Sequence, residues 1–214
     1  MVDSRDSLVR RWDELVTRVG LDSTAATAAI AEVLSAHEEP ARRYHDLLHL
    51  TECFELVDAM ADLSPSERSA VELSIWFHDL IYDPTATDNE QRSAARAGAF
   101  LRDAGRPDVA PAVVEAIEMT AGHAPITRNP IIDAVHDADL GILGASAERY
   151  DEYAAAIRLE YGHVSDEDFR EGRSRILRSF LAMPDIYVRP DMAAREIEAR
   201  RNLEREVRAL ATAR

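Results

Sequence analysis

Histidine and aspartate meet in the segment WFHDLIYD at residues 76–83, where an apolar helix end leads into His78 and Asp79. His78 continues a stripe of residues spaced three to four apart from Val71, which predicts that it points with the apolar side of its helix. Asp79 follows near the helix end, where the backbone can turn its carboxylate toward the same point. A surface pair is the alternative. Because a buried carboxylate needs a partner or a metal, we interpret the two residues as ligands of one divalent cation.

Two more histidines lie on a helix that the sequence predicts over residues 42–60. His45 and His49 are four residues apart on a stripe that continues through Cys53, so they are predicted to share one helix face. Histidines at this spacing recur as metal ligands. The alternative is a pair of core histidines that bond to backbone or carboxylate groups.

A further acidic candidate comes from the helix that is predicted to begin at Pro130. Ile132, Val135 and Asp139 are spaced three and four residues apart, so Asp139 is predicted to face the core. Asp137 falls on the opposite face and is expected to be solvated. A buried aspartate on an apolar stripe needs a cation, so Asp139 points to a metal independently of the first pair.

General acids or bases could be supplied by two other residues. Glu90 is in the first turn of a helix with capping-box spacing from Thr87, and the alternative is that it only caps that helix. His123 lies just beyond a helix predicted to end at Thr120. It could be a surface loop residue, or an acid, base or further ligand, because histidine titrates near neutrality.

The elements that must position these candidates are predicted to be helices throughout, separated by short breaks. We find no strand alternation, internal repeat, heptad seam or interdomain linker, and we predict about ten helices. The sequence therefore predicts a single all-α domain over residues 1–214. Its first two helices, within residues 1–39, carry no evident chemistry and are interpreted as scaffold.

Composition limits the classes of function. The 214 residues are 46% hydrophobic and 30% charged, which is typical of globular proteins. The formal charge of −15 disfavours a nucleic acid polymer as partner. All 25 basic residues are arginines, so arginine would make any phosphate contact. There is no membrane-length apolar run, no signal-peptide pattern, and one cysteine, Cys53, which together predict a cytoplasmic protein without a membrane partner.

The order of the candidates, a histidine, then His78 and Asp79, then a distant Asp139, resembles the metal site of the HD superfamily of phosphohydrolases. The wider sequence is similar to a bacterial branch known mostly as predicted metal-dependent HD hydrolases, and the similarity covers residues 40–205. The matching segments, in order, are RRYHDLLHL at 42–50, WFHDLIYD at 76–83, NEQRSA at 89–94, Thr120 with His123, residues 137–140 with 143–144, Arg158 with residues 160–161, and residues 199–200 with 202–203.

The resemblance implies an all-helical HD-type fold and a ligand set of four residues: His49, His78, Asp79 and Asp139. His49 fits the first ligand better than His45, and His45 and Tyr44 are assigned to the wall of the site. A second set of histidines for a two-metal centre is not secure, although His45 and His123 leave it open, so we predict one ion.

The chemistry implied by the resemblance is hydrolysis of a small phosphomonoester or nucleotide by metal-activated water, with no covalent enzyme intermediate. The ion would be Mn, Fe, Co, Ni or Zn, with Mg as a further option. Glu90 or His123 would handle the proton, and Arg42 would hold the phosphate. One alternative is a metal- or nucleotide-binding regulatory domain without turnover. Another is an oxygenase, which needs two iron atoms. The oligomeric state is left open, a homodimer included.

Overall fold

The computed structural model describes residues 4–122 and 128–212, and every regular element in these ranges is helical. This confirms the predicted all-α fold of about ten helices. None of the described helices is both long and apolar enough to cross a membrane. The α-helices are α1 (Ser4–Val19), α2 (Ser23–His37), α3 (Leu47–Ala59), α4 (Pro65–Phe77), α5 (Asn89–Asp103), α6 (Ala110–Thr120), α7 (Pro130–Asp139), α8 (Ala147–Glu160), α9 (Asp166–Leu181) and α10 (Ala193–Thr212).

The chain forms two compact units, Met1–Asp139 and Leu140–Arg214. The first contains α1 to α7. The second contains α8 to α10 and two short 3₁₀ segments, Leu140–Gly144 and Pro190–Met192. The prediction of a single domain over the whole chain stays a prediction.

Helix α4 is the central element of the first unit. It packs against α1, α3, α5, α6 and α7, and all of its residues from Ser69 to Phe77 are buried. A helix that is covered on all sides must be apolar around most of its circumference, as α4 is. Its start is fixed by the capping box of Ser64 and Glu67. Its other end therefore delivers His78 from the middle of the core.

Aromatic packing fixes α4 against its neighbours. Trp12 of α1 lies edge-on to Trp76, with ring centroids 5.4 Å apart. Phe77 stacks on Phe100 of α5 at 5.1 Å. All four side chains are buried, and each aromatic pair of this kind adds about 0.5–1.5 kcal/mol beyond the burial of area. The residues that precede His78 are thus held firmly.

Helix α3 begins at Leu47 rather than at residue 42, which corrects the predicted start. Asp46 is extended, and its carboxylate accepts hydrogen bonds from the backbone N–H groups of Leu48 and His49. Aspartate is a strong N-cap, so it starts the helix there. His45 consequently precedes the helix, and the prediction that it shares a helix face with His49 is wrong.

The predicted capping box of α5 is also wrong. The cap residue is Asp88, which makes no side-chain cap hydrogen bond, and the helix begins at Asn89. Instead, Asn89 exchanges two hydrogen bonds with the backbone of Asp83, at 3.1 and 2.8 Å. The start of α5 therefore closes the loop that follows the His78–Asp79 pair.

The second unit is built around α10, which packs against α9 and the 3₁₀ segment Leu140–Gly144. Buried Asn202 donates hydrogen bonds to the carbonyls of Leu143 and Ala145 at 3.0 and 2.9 Å. A Cβ placed on Gly144 would lie 2.7 Å from the Cβ of Arg195, so only glycine allows this close approach.

Candidate metal centre

Four residues of the first unit bring potential metal-ligand atoms together. Each of His49, His78, Asp79 and Asp139 offers one atom, and all four atoms lie within 4.8 Å of one another. We call them the histidine–aspartate cluster. The two imidazoles are buried and the two carboxylate side chains are each 17% exposed. The cluster could hold a metal ion, and it is the same set of four ligands that the sequence predicted.

The ends of three packed helices supply the cluster. His49 lies in the first turn of α3, Asp139 is the last residue of α7, and His78 caps the C-terminus of α4. Helices α3, α4 and α7 all pack on one another. Asp79 follows His78 directly, so the α4 end provides two ligands. Because the apolar face of each helix packs in the core, the polar residue at the end of that face lies close to those of the other two helices.

Five of the distances between ligand atoms lie between 3.0 and 3.6 Å, at or slightly above those around a single ion. His49 Nε2 lies 3.1 Å from His78 Nε2, 3.5 Å from an Asp79 oxygen and 3.4 Å from an Asp139 oxygen. His78 Nε2 lies 3.0 Å and 3.6 Å from the same two oxygens. Ligands about 2.0–2.1 Å from a shared ion are separated by roughly 2.8 to 3.0 Å at octahedral angles and by roughly 3.3 to 3.4 Å at tetrahedral angles. The donor set therefore fits a transition metal.

Asp79 Oδ2 provides the clearest sign that this cluster is incomplete. This oxygen is buried, and no donor in the described ranges reaches it with hydrogen-bond geometry. His78 Nε2 is only 3.0 Å away, but the two groups are not aligned as donor and acceptor. A buried carboxylate oxygen without a donor is costly, and a cation would offset that cost.

The two imidazoles are oriented differently. The Nδ1–H of His78 donates to the carbonyl of Ile75 at 2.9 Å, so Nε2 is the ring nitrogen that faces the cluster and that a metal would bind once its proton is lost. For His49, the sulfur of the buried Cys53 thiol lies 3.7 Å from both ring nitrogens, and no backbone hydrogen bond to the ring is found among the described residues. Backbone bonding thus fixes the His78 ring more firmly than the His49 ring.

Without a metal, the charges of the cluster favour protonated imidazoles beside ionised carboxylates. Burial lowers the pKa of His78, but the carboxylates of Asp79 and Asp139 outweigh it and raise that pKa well above 6.5. Burial also lowers the pKa of His49, and Cys53, Tyr44 and the carboxylates raise it well above 6.5. Burial raises the pKa of Asp79, but the charges of His78 and His45 bring it well below its usual range. A metal ion would therefore compete with protons for the imidazole nitrogens.

Asp137 is completely buried, which corrects the expectation that it is solvated. Its carboxylate is 3.9 Å from the Nε2 of His136, which is also buried. The physical reason is that α7 packs against α3, α4 and α6, so the face opposite Asp139 is covered as well. Asp137 is not among the four residues whose ligand atoms converge.

Arg42 is buried, and its guanidinium serves the backbone next to the cluster. It donates to the carbonyls of Asp79 at 2.6 Å and Leu80 at 2.9 Å. A third, longer contact reaches the carbonyl of His45 at 3.4 Å. These contacts place the Arg42 guanidinium against the backbone of Asp79 and Leu80. The predicted contact of Arg42 with a phosphate stays a prediction.

Aromatic side chains line one side of the cluster. Tyr44 is 4.8 Å from the His49 ring and 4.9 Å from the His45 ring, measured between centroids. His45 stacks on Tyr82 at 4.1 Å. Tyr44 thus lies beside His49, with His45 and Tyr82 next to it, and the assignment of Tyr44 and His45 to the wall of the site stays a prediction.

Of the two predicted acid–base residues, the structure describes only Glu90, which is not brought into the cluster. Glu90 is half-buried in the first turn of α5 and is not one of the converging ligands. His123 lies outside the described residues. Neither role is tested by the geometry of the cluster.

Sequence reasoning missed the residues that hold the turn after His78. The hydroxyl of buried Ser93 accepts a hydrogen bond from the N–H of Ile81 at 3.0 Å, and Asn89 holds Asp83. The matching segment NEQRSA contains both Asn89 and Ser93. That motif was a usable signal, although it was interpreted only for Glu90.

Comparison of the chain with protein-family models, with curated proteins and with solved structures found no match.

Proposed function

We propose that this protein is a metal-dependent phosphohydrolase of the HD type, acting on a small phosphomonoester or nucleotide. The observation that carries the proposal is the convergence of two buried imidazoles and two carboxylates, with one buried carboxylate oxygen that lacks a hydrogen-bond donor among the described residues. The order of these residues along the chain, which resembles the HD superfamily, supports it further.

The donor set favours a single transition-metal ion. Two imidazole nitrogens with two carboxylate oxygens suit Mn, Fe, Co, Ni or Zn, and cellular availability selects among them. Mg²⁺ is the weaker option because it prefers oxygen ligands and keeps several waters. Such an ion lowers the pKa of water and polarises a phosphoryl oxygen, which is the chemistry that hydrolysis of a phosphoester needs.

The protein's own residues have three tasks in this proposal. His49, His78, Asp79 and Asp139 hold the ion, and the two carboxylates balance its two positive charges. Tyr44, His45 and Tyr82 form the wall against which the substrate lies. Glu90 or His123 transfers a proton.

The partner in this proposal is a small anionic molecule rather than a nucleic acid polymer or a membrane. The chain carries a formal charge of −15, which opposes extended contact with a polyanion. A small phosphoester needs only the local positive charge that an ion supplies. We place the activity in the cytoplasm.

The experiment measures metal per chain by mass spectrometry in wild type, in Asp79→Ala and in Asp88→Ala. Asp88 is a matched control, because its carboxylate is 62% exposed and makes no capping bond. We expect about one ion in wild type and in Asp88→Ala, little in a folded Asp79→Ala, and hydrolysis of a phosphoester panel that follows metal content.

Three other outcomes contradict the proposal. No metal in wild type, even after incubation with Mn and Fe, would make the cluster a set of core ion pairs. One bound ion with no hydrolysis across a broad panel would favour a regulatory domain without turnover. Two iron atoms per chain would favour an oxygenase.

A further inference from the structure

Arg42 connects two segments that lie far apart in the sequence. It lies between α2 and α3, is only 6% exposed, and donates to the carbonyls of Asp79 and Leu80, which lie immediately beyond α4. A planar guanidinium presents parallel donors in a fixed fork, so it can hold two successive carbonyls in one orientation. The backbone at Asp79 is thereby fixed.

The same guanidinium also contacts the aromatic wall. Its central carbon lies 5.5 Å from the centroid of Tyr82, and Tyr82 stacks on His45. Arg42 therefore contacts the turn that carries Asp79 in two ways. It bonds to the backbone carbonyls of the turn, and it packs on the ring of Tyr82. Ser93 and Asn89 hold Ile81 and Asp83 of the same turn, but neither contacts the Asp79 carbonyl in the bonds described.

We propose that Arg42 is a positioning residue of the metal centre, which fixes the backbone so that the Asp79 carboxylate meets the imidazoles, and that it is not a phosphate ligand. This inference rests on the proposed function, because it requires that the histidine–aspartate cluster binds a metal. It reassigns the role that the sequence predicted for Arg42.

Charge and geometry predict opposite effects when Arg42 is replaced. A guanidinium near the cluster repels a dication, so loss of its charge alone would tighten metal binding. Loss of the backbone fork would instead free the turn and weaken binding. Removal of a group that orients a ligand typically weakens metal affinity by about 10- to 100-fold.

The experiment measures the Kd for Mn²⁺ and the Kd for inorganic phosphate in Arg42→Gln, Arg42→Lys and Arg43→Gln, at a temperature where circular dichroism shows each variant folded. Arg42→Lys keeps the charge but cannot hold two carbonyls as the fork does. Arg43→Gln is the matched control, because Arg43 is exposed and the charge change is the same. We expect both Arg42 variants to weaken Mn²⁺ binding about 10- to 100-fold, and Arg43→Gln to change it less than about threefold.

Each other result overturns the inference in a recognisable way. An Mn²⁺ Kd that stays within about threefold of wild type in Arg42→Lys, with weaker phosphate binding, would make Arg42 a phosphate ligand. Tighter Mn²⁺ binding in Arg42→Gln would show that only its charge matters. Absence of Mn²⁺ binding in wild type would overturn the proposed function, and the inference with it. If Arg42→Gln does not fold, Arg42→Lys decides.

Discussion

Each unit of the protein contains a buried cluster of ionisable side chains, and the two clusters differ in what completes them. In the second unit, Arg173 donates to both oxygens of Glu206, at 2.8 and 3.1 Å, and to the hydroxyl of Tyr153 at 3.0 Å. Tyr150 donates to Glu206 at 2.5 Å. One positive charge meets one negative charge, and every one of these donors reaches an acceptor. We call these four residues the arginine–glutamate cluster.

The histidine–aspartate cluster of the first unit has the opposite character. Its two Nε2 atoms and its carboxylate oxygens face one another, and Asp79 Oδ2 has no hydrogen-bond donor in the described part of the chain. Burial alone is therefore weak evidence of function, since both clusters are buried. The informative feature is a buried acceptor for which the protein supplies no donor.

The largest loss of stability is expected when the arginine–glutamate cluster is broken. Glu206→Gln leaves the Arg173 charge buried without a counter-charge, and removal of one partner from a buried ion pair typically costs 3–5 kcal/mol. We expect a loss of about 3 kcal/mol in the free energy of unfolding, measured by urea denaturation. The matched control is Glu171→Gln on α9, whose pair with Arg175 is 73% exposed on both sides and should matter by less than about 1 kcal/mol.

A double variant separates the pair from the packing around it. Arg173→Met combined with Glu206→Leu removes both charges and should recover part of the loss, because apolar residues of similar size often replace a buried ion pair without cost. A Glu206→Gln variant no less stable than Glu171→Gln would contradict the view that this cluster is complete and desolvated.

The second expected effect is stabilisation by Mn²⁺, which should depend only on the histidine–aspartate cluster. A ligand that binds the folded state alone, at 100 times its Kd, stabilises that state by about 2.7 kcal/mol. Mn²⁺ at this level should raise the free energy of unfolding of wild type by that amount, and EDTA should reverse the gain. Asp79→Ala should show no gain, whereas Glu206→Gln should keep it. An equal gain in Asp79→Ala would mean that the ion binds elsewhere.

Part of the site could be predicted from the sequence because helix periodicity determines which side chains face the core. Asp139 and His78 continue apolar stripes into helix ends, and both bring a ligand atom to the cluster, although Asp139 is more exposed than Asp137. His49 needed the resemblance, because periodicity treats His45 and His49 alike. The structure separates them through Asp46, whose cap starts α3 between the two histidines.

The rest depends on contacts that no local pattern contains. Asp137 is buried because helices cover both faces of α7, and periodicity shows only which face is more apolar. Arg42 bonds to carbonyls 37 and 38 residues further along the chain. Asn202, in one of the matching segments, bonds to carbonyls 59 and 57 residues before it and so ties α10 to the segment around Gly144. These pairings arise only when the helices pack.

The third expected effect is a pH dependence of stability caused by His37. Like Asp79, this residue has a buried polar atom without a hydrogen-bond partner in the described ranges, but a cation is not what makes its burial tolerable. Its Nδ1–H donates to the carbonyl of Val33 at 2.9 Å, and its Nε2 is buried with no partner in the described ranges. Burial, with the charge of Arg42, lowers its pKa from 6.5 to about 3. The imidazole is therefore neutral when folded, and neutrality, rather than a cation, makes its burial tolerable.

The sign of the pH effect follows from this lowered pKa. The unfolded chain takes up the His37 proton near pH 6.5 and the folded chain only near pH 3, so stability falls as the pH drops through that window. At pH 5 the loss from this one group is about 2 kcal/mol. His49 and His78 have raised pKa values, so their contribution to stability is already complete below pH 6.5, and the lowered pKa of Asp79 matters only below about pH 4.

Urea denaturation of EDTA-treated wild type and His37→Gln between pH 7 and 4.5 should therefore show that the free energy of unfolding of the variant falls less steeply as the pH drops. Equal slopes would mean that His37 takes up its proton in the folded protein as readily as in the unfolded chain. Its buried Nε2 would then need a charged partner, as Asp79 Oδ2 does in the histidine–aspartate cluster.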